Sequence, residues 1–359
     1  MVKQLIFHLG DTKTGSTSIQ SVLRAEGYEL AGKTIFYPTI GKNLNHNTAS
    51  QTLYKGAVFD QRANRFSALE QKLSKNDADY GIVSAEFFQY ADPAELKKTI
   101  EQYMSNHAAN VRLIAYVRPH AEKFLSSFST QMRVGARQTT PLALFEKYTE
   151  LDTLDYAPRF KKWRDVFGDA FTLRLFSREH LHRQDVLQDF FQFVTGADKT
   201  KITWTPYNNP SLKVGQIALL RYLIEPLAGT EKQGNKRHLR GELSRILARN
   251  IEESKVGADT PRVTMSRKLM ARFVKRYEAD AVAMDEAFFT GSPMTKALQN
   301  AKTKLAAPPQ SLRVEDYFSE AELRSFALMS NVLCTMADAD PVKMTSLARA
   351  LRLELNRQK

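Results

Sequence analysis

Residues 4–20 read Gln-Leu-Ile-Phe-His-Leu-Gly-Asp-Thr-Lys-Thr-Gly-Ser-Thr-Ser-Ile-Gln. An apolar run, Leu5, Ile6, Phe7 and Leu9, stops at Gly10, a short polar loop follows, and a helical pattern opens at Ser16. The expected unit is a strand, a phosphate-sized turn and a helix N-terminus. Gly10 and Gly15 let the backbone turn tightly around an anion. The N–H groups of Gly15, Ser16, Thr17 and Ser18 then point at it, aided by the positive end of the helix dipole. Lys13 adds a full charge.

Around this stretch, residues 1–200 alternate apolar runs with helical stretches, the pattern of a parallel α/β sheet. Strands are expected at 4–9, 34–37, 80–84, 111–117 and 171–175, and the near-continuous apolar run Val111–Val117 suits a central strand. From Pro206 onward no strand is expected. Helical patterns take over at 214–227, 237–254, 266–289, 319–336 and 341–355, with polar or proline-bearing breaks between them. The domain reading is a nucleotide-binding α/β core over 1–225 and a helical extension over 226–359, packed on the core and contributing to an acceptor site.

The 359 residues are 43% apolar and 25% charged, the balance of a soluble globular chain, and no apolar run approaches the roughly 20 residues a membrane span needs. Met1-Val2-Lys3 leads straight into the first strand, so no leader peptide is expected, and the single cysteine, Cys334, fits a reducing cytoplasm. The formal net charge of +13 favours anionic partners: nucleotides, acidic polysaccharide or an anionic lipid surface. No zinc finger, RNP-type or other nucleic-acid module is present, so nucleic acid ranks low.

A Walker A loop places Lys-Ser/Thr directly after its last glycine, where the lysine reaches the β/γ-phosphates and the hydroxyl holds magnesium. Here Ser16 follows Gly15 and the lysine comes two residues earlier. That order argues against a nucleoside triphosphate kinase. A second anchor lies at Tyr116-Val-Arg-Pro-His-Ala-Glu-Lys-Phe-Leu-Ser126, where Arg118 ends the central strand and Ser126 follows eight residues on. Arginine offers a planar fork to a phosphate and serine one hydroxyl bond.

Together these stretches resemble the sulfotransferases that use 3′-phosphoadenosine 5′-phosphosulfate (PAPS), bacterial-type members in particular. Lys13-Thr-Gly-Ser-Thr-Ser18 looks like the family's 5′-phosphosulfate loop, and Arg118 with Ser126 like its 3′-phosphate site, although Pro119 stands where an acidic residue commonly follows the arginine. Gly32–Pro38, Val83-Ser-Ala-Glu86, Tyr156–Gly168 and Asp189–Gly196 extend the similarity over about residues 4–225. The resemblance implies a P-loop NTPase-like sulfotransferase fold, a mostly parallel sheet flanked by helices. It implies metal-independent transfer of a sulfuryl group from PAPS to a hydroxyl or amine of a carbohydrate or lipid-linked glycan.

In that reading Lys13 stabilises the leaving PAP, the bisphosphate product, while Thr14, Gly15, Ser16, Thr17 and Ser18 surround its 5′-phosphate. Glu86, ending an apolar strand at the sheet top, is the first candidate for general base, equally readable as a helix-start carboxylate. His46, in the polar loop 41–48, is the second, because a neutral imidazole can take a proton near neutral pH. Asn209 and Ser211 fall where related proteins carry an Asn-x-Ser segment that closes over the nucleotide; Ser211 is equally a helix cap. The basic residues of 232–240 read as a surface loop that could meet phosphate. Rival readings are a non-catalytic nucleotide- or glycan-binding protein on the same fold, and a P-loop kinase.

Overall fold

The apolar run that ends at Gly10 is the middle strand of a five-stranded parallel sheet. The computed structural model describes residues 1–39, 41, 43–136, 140–204, 211–227 and 234–355. The chain begins with β1 (Gln4–His8), α1 (Ser16–Ala25), β2 (Tyr28–Glu29), β3 (Ile35–Phe36), α2 (Asn47–Gln51), α3 (Arg62–Ser74), β4 (Tyr80–Ser84), α4 (Pro93–Tyr103) and β5 (Val111–Val117). It continues through α5 (His120–Arg133), α6 (Pro141–Glu150), α7 (Tyr156–Phe167), β6 (Phe171–Leu175), α8 (Val186–Thr195) and β7 (Lys201–Ile202). The later elements are α9 (Val214–Ile224), α10 (Gly234–Glu253), β8 (Met265–Ser266), α11 (Arg267–Phe288), α12 (Pro293–Lys304), β9 (Ala306–Ala307), α13 (Glu320–Ala339) and α14 (Pro341–Leu355).

Two compact units emerge from the contacts. The first comprises Met1–Pro119, Asp155–Tyr207 and Ala279–Thr295; the second comprises His120–Leu154, Asn208–Glu278 and Lys296–Lys359.

The first unit is α/β. Its sheet runs β3-β4-β1-β5-β6, all parallel, with Ile6 opposite Ile82 and Phe7 opposite Leu113. Leu5, Ile6 and Phe7 are fully buried, as a strand covered on both faces requires. Ile6, Ile82, Ile114 and Tyr116 pack with Ile19, Val22 and Leu23 of α1 and with Phe190, Phe191 and Val194 of α8. Full burial of side chains this size stabilises the fold by about 1.5–3 kcal/mol each. The chain leaves β1 for β3 and β4 on one side and crosses to β5 and β6 on the other. That reversal makes the carboxyl end of β1 a topological switch point, the place where open α/β sheets bind ligands.

One buried charge in this unit is fully engaged. Asp189 on α8 accepts from the Tyr116 hydroxyl at 2.7 Å, from Arg174 Nη1 at 3.0 Å and from the His182 amide at 2.9 Å. Helix α8 starts at Val186, where the Asp185 carboxylate caps the Leu187 and Gln188 amides.

In the second unit α9 is apolar almost all round and packs on α5, α10 and α13. Phe124 of α5, Phe145 of α6 and Phe273 and Tyr277 of α11 form an aromatic cluster, with centroids 4.7–5.9 Å apart in successive pairs. The expectation of no strand after Pro206 is corrected by one short parallel pair, Met265–Ser266 with Ala306–Ala307. The basic stretch read as a loop is helical from Gly234 onward, and Lys232 lies outside the described residues. No helix among the described residues is long and apolar enough to cross a membrane.

Candidate functional site

The loop after β1 turns through three left-handed residues: Gly10 (φ 35°), Lys13 (φ 69°) and Gly15 (φ 80°). Gly10 is required by contact as much as by φ. A Cβ there would stand 3.1 Å from the Glu86 Cα and 3.2 Å from the Ala85 carbonyl oxygen. At Gly15 it would meet Val186 and Phe176 at 3.0 and 3.1 Å. The loop is thus pressed against the end of β4 on one side and against α8 on the other.

Inside the turn the Asp11 carbonyl accepts from the Thr14 hydroxyl at 2.5 Å and the Ser16 hydroxyl at 3.2 Å. Both side chains are buried. Their hydroxyls therefore shape the loop, and what Thr14 and Ser16 can offer an anion is backbone N–H. α1 begins at Ser16, and the first-turn amides of a helix have no acceptor inside it. Thr17 is exposed and Ser18 half-buried, so their hydroxyls can supplement those amides.

Arg118 reaches this loop because β5 lies directly beside β1. Its Nη1 donates to the Lys13 carbonyl at 3.4 Å, and its guanidinium lies 5.7 Å from the Phe176 ring centroid. The two cations singled out in the sequence, 105 residues apart, thus stand at one strand-end cluster. Glu86 joins them. β4–β1 bonding runs on to Ala85, whose amide donates to the His8 carbonyl, and half-buried Glu86 opens the short turn that follows, with its Cα against Gly10.

Beneath the loop lies a polar hub on Ser84. Its hydroxyl takes a bond from Gln20 Nε2 at 3.0 Å and pairs with His8 Nδ1 at 2.8 Å. His8 is fully buried, and loss of hydration pushes its pKa down to about 3. It is a neutral packing residue, edge-on to Tyr116 and Phe190.

His46 belongs to this hub too, and its geometry speaks against a role as base. It is 1% exposed. Nδ1 accepts from the Ser84 amide at 3.0 Å, and Nε2 lies 2.6 Å from the Pro38 carbonyl oxygen, so a neutral Nε2–H tautomer satisfies both ring nitrogens. Burial lowers its pKa further from the range useful for proton transfer. His46 instead ties the loop after β3 to the end of β4.

Two side chains that the sequence reading did not single out complete the site. The Asp11 carboxylate, 3% exposed, meets Arg159 Nη2 of α7 at 3.0 Å. The Arg159 guanidinium is also stacked 4.6 Å above Phe160. An acid inside a glycine loop was the available signal; its partner 148 residues away was not readable.

Ser126 lies half-buried on α5, and exposed Ser211 precedes α9; both belong to the second unit. Asn209 lies outside the described residues. Among the described residues no group of three or more His, Cys, Asp or Glu stands together as metal ligands. Comparison with protein families, curated proteins and solved structures gives no match.

Proposed function

We propose that this chain is a PAPS-dependent sulfotransferase with a P-loop NTPase-like sulfotransferase fold, acting on a hydroxyl or amine of a carbohydrate or glycolipid. The observation that carries the reading is Arg118 seated on the Lys13 carbonyl at the carboxyl end of β1. A nucleotide with both a 5′-phosphosulfate and a 3′-phosphate needs two anion sites about a ribose apart, and this cluster supplies two cations beside a helix N-terminus. The position of Lys13 before Gly15, with a left-handed backbone, supports a loop unlike that of a triphosphate-hydrolysing enzyme.

The chemistry follows from the placement. An acceptor oxygen attacks sulfur as the bond from sulfur to the bridging phosphate oxygen breaks, and the pair of electrons leaves with PAP. Lys13 and the Gly15–Ser18 amides would stabilise the charge growing on that bridging oxygen, and preorganised donors of this kind are the strongest aid such a site can give to the reaction. Glu86, beside the loop, would take the acceptor proton. His46, spent on two backbone partners, is not part of this proposal.

Calorimetric titration of the full chain with PAP tests it. Wild type should bind, and Lys13→Ala and Arg118→Ala should each weaken binding about 10–100-fold, the worth of a charge-assisted bond of 1.5–3 kcal/mol. A wild-type chain that does not bind PAP overturns the reading.

A further inference from the structure

The second unit contains a cavity of about 280 Å³ unconnected with the proposed nucleotide loop in sequence or unit. Leu142, Val263, Leu269, Pro309 and Leu312 give it apolar walls. Two helices begin at its edge. α6 starts beside Thr140, whose Oγ1 caps the Ala143 amide at 3.1 Å, and α11 starts beside Ser266, whose Oγ caps the Leu269 amide at 3.2 Å. Each start presents the positive end of a helix dipole to the cavity.

Lys268 and Arg272, one helical turn apart on α11, line the same space, and among the described residues no carboxylate does. Arg272 lies 3.9 Å from Glu146, but both are half-exposed, so this pair does little to cancel its charge. In the wall, the buried Thr264 Oγ1 has no hydrogen-bond partner among the described residues, while Gln310 fixes the Thr264 backbone through a 2.9 Å bond.

We propose that this cavity binds an amphipathic monoanion, an apolar body with one carboxylate, sulfate or phosphate head. The head would sit between Lys268, Arg272 and the two helix starts, and the body against Leu142, Leu269 and Leu312. The site stands whether or not the chain transfers sulfate.

The test is calorimetric titration of the full chain with octanoate, octyl sulfate and the neutral 1-octanol. One saturable site is expected for both anions, with octanol about tenfold weaker or worse. The Lys268→Met/Arg272→Met variant should lose that anion preference while keeping its octanol affinity, and Lys13→Ala should change nothing. No saturable anion binding up to millimolar concentration overturns the proposal. So does equal binding of octanoate and octanol, or loss of anion binding in Lys13→Ala.

α13 and α14 carry a separate inference, because they are packed inside out. They bury small residues, Ser330, Ala337 and Ala348, and expose Leu328, Met329, Val332 and Met336 along one face of α13 and Val342, Leu347 and Leu351 on α14. With 44–69% of each exposed, these seven large side chains are more than the singly scattered apolar residues a monomer ordinarily shows. α13 carries three acids and one arginine, whereas α14 carries three basic residues and one glutamate. We infer that this face pairs with a second copy about a two-fold axis, with α13 of one chain along α14 of the other. The acids of α13 disfavour an anionic lipid surface as the occupant.

Sedimentation equilibrium of the full chain should give a dimer at micromolar concentration. Val332→Glu/Met336→Glu should give a monomer with the wild-type circular dichroism spectrum. A monomeric wild type, or one that instead floats with anionic vesicles, overturns the inference; so does a double variant that remains dimeric.

Discussion

Replacing Arg159 by methionine tests how the loop tolerates its own acid. Met keeps much of the aliphatic packing over Phe160 but removes the guanidinium that meets Asp11 at 3.0 Å. The Asp11 carboxylate is 3% exposed, so water replaces the lost guanidinium poorly. Breaking a buried pair from one side costs about 3–5 kcal/mol. Arg159 keeps 23% of its side chain exposed, so the lower end, about 3 kcal/mol, is the expected loss. Asp11→Asn in the same chain removes the charge that the guanidinium met and should recover more than half of the loss. Urea unfolding of wild type, both single variants and the double variant gives the coupling directly. PAP titration of Asp11→Asn adds a functional readout, since one negative charge fewer in an anion cradle should tighten binding several-fold. An Arg159→Met chain within about 0.5 kcal/mol of wild type, or singles and double that simply add, would show that the pair is not coupled and that the loop does not depend on it.

His8 should make stability fall with acid. Its folded pKa, about 3, lies below the unfolded value of 6.5, so its contribution is complete above pH 6.5 and fades as pH drops towards 3. The slope from this group is about 1.4 kcal/mol per pH unit in that window, and His8→Leu should remove it from urea-unfolding free energies measured between pH 4 and 7. His46→Ala strands the Ser84 amide and the Pro38 carbonyl in the interior and should cost about 2–4 kcal/mol by the same measurement. Glu86→Gln should cut sulfate transfer by about 10²–10⁴ while PAP affinity stays within twofold; unimpaired turnover would remove Glu86 as base.

The fold was legible where its signal was long. β1, β4 and β5 each bury consecutive apolar residues, and such runs announce themselves in a sequence. The two-residue strands were not legible. β2 and β7 exist because Tyr28 meets Ile202 across most of the first unit's sequence, and β8 and β9 because Met265 meets Ala306. At that length pairing, not propensity, decides the strand.

The site divides along the same line. Gly10 and Gly15 form a local pattern whose backbone demands could be read in order, whereas the left-handed backbone of Lys13 could not. Arg118 could be read because it ends a strong strand, and parallel neighbours bring their carboxyl ends together. The Ser84 hub and the Asp11–Arg159 pair depend on contacts 38–148 residues apart, which no local spacing encodes.

His46 and Glu86 show why position on a sheet edge is too coarse a criterion for a catalytic base. Both follow strands of the same sheet, and both were candidates for that reason. β3 is only two residues long, so the chain after it turns back early and its loop is drawn over the end of β4. There the Ser84 amide and the Pro38 carbonyl need partners that water cannot supply, and the His46 ring provides both from one planar group. β4 runs five residues, and its pairing with β1 continues to Ala85. Glu86 is carried past the last ladder bond to the height of the Gly10 turn, where its backbone touches the loop and the residue stays half-buried. One residue is spent on closing the backbone and the other stands beside the Gly10 turn. Strand length, more than residue type, sets that difference in place.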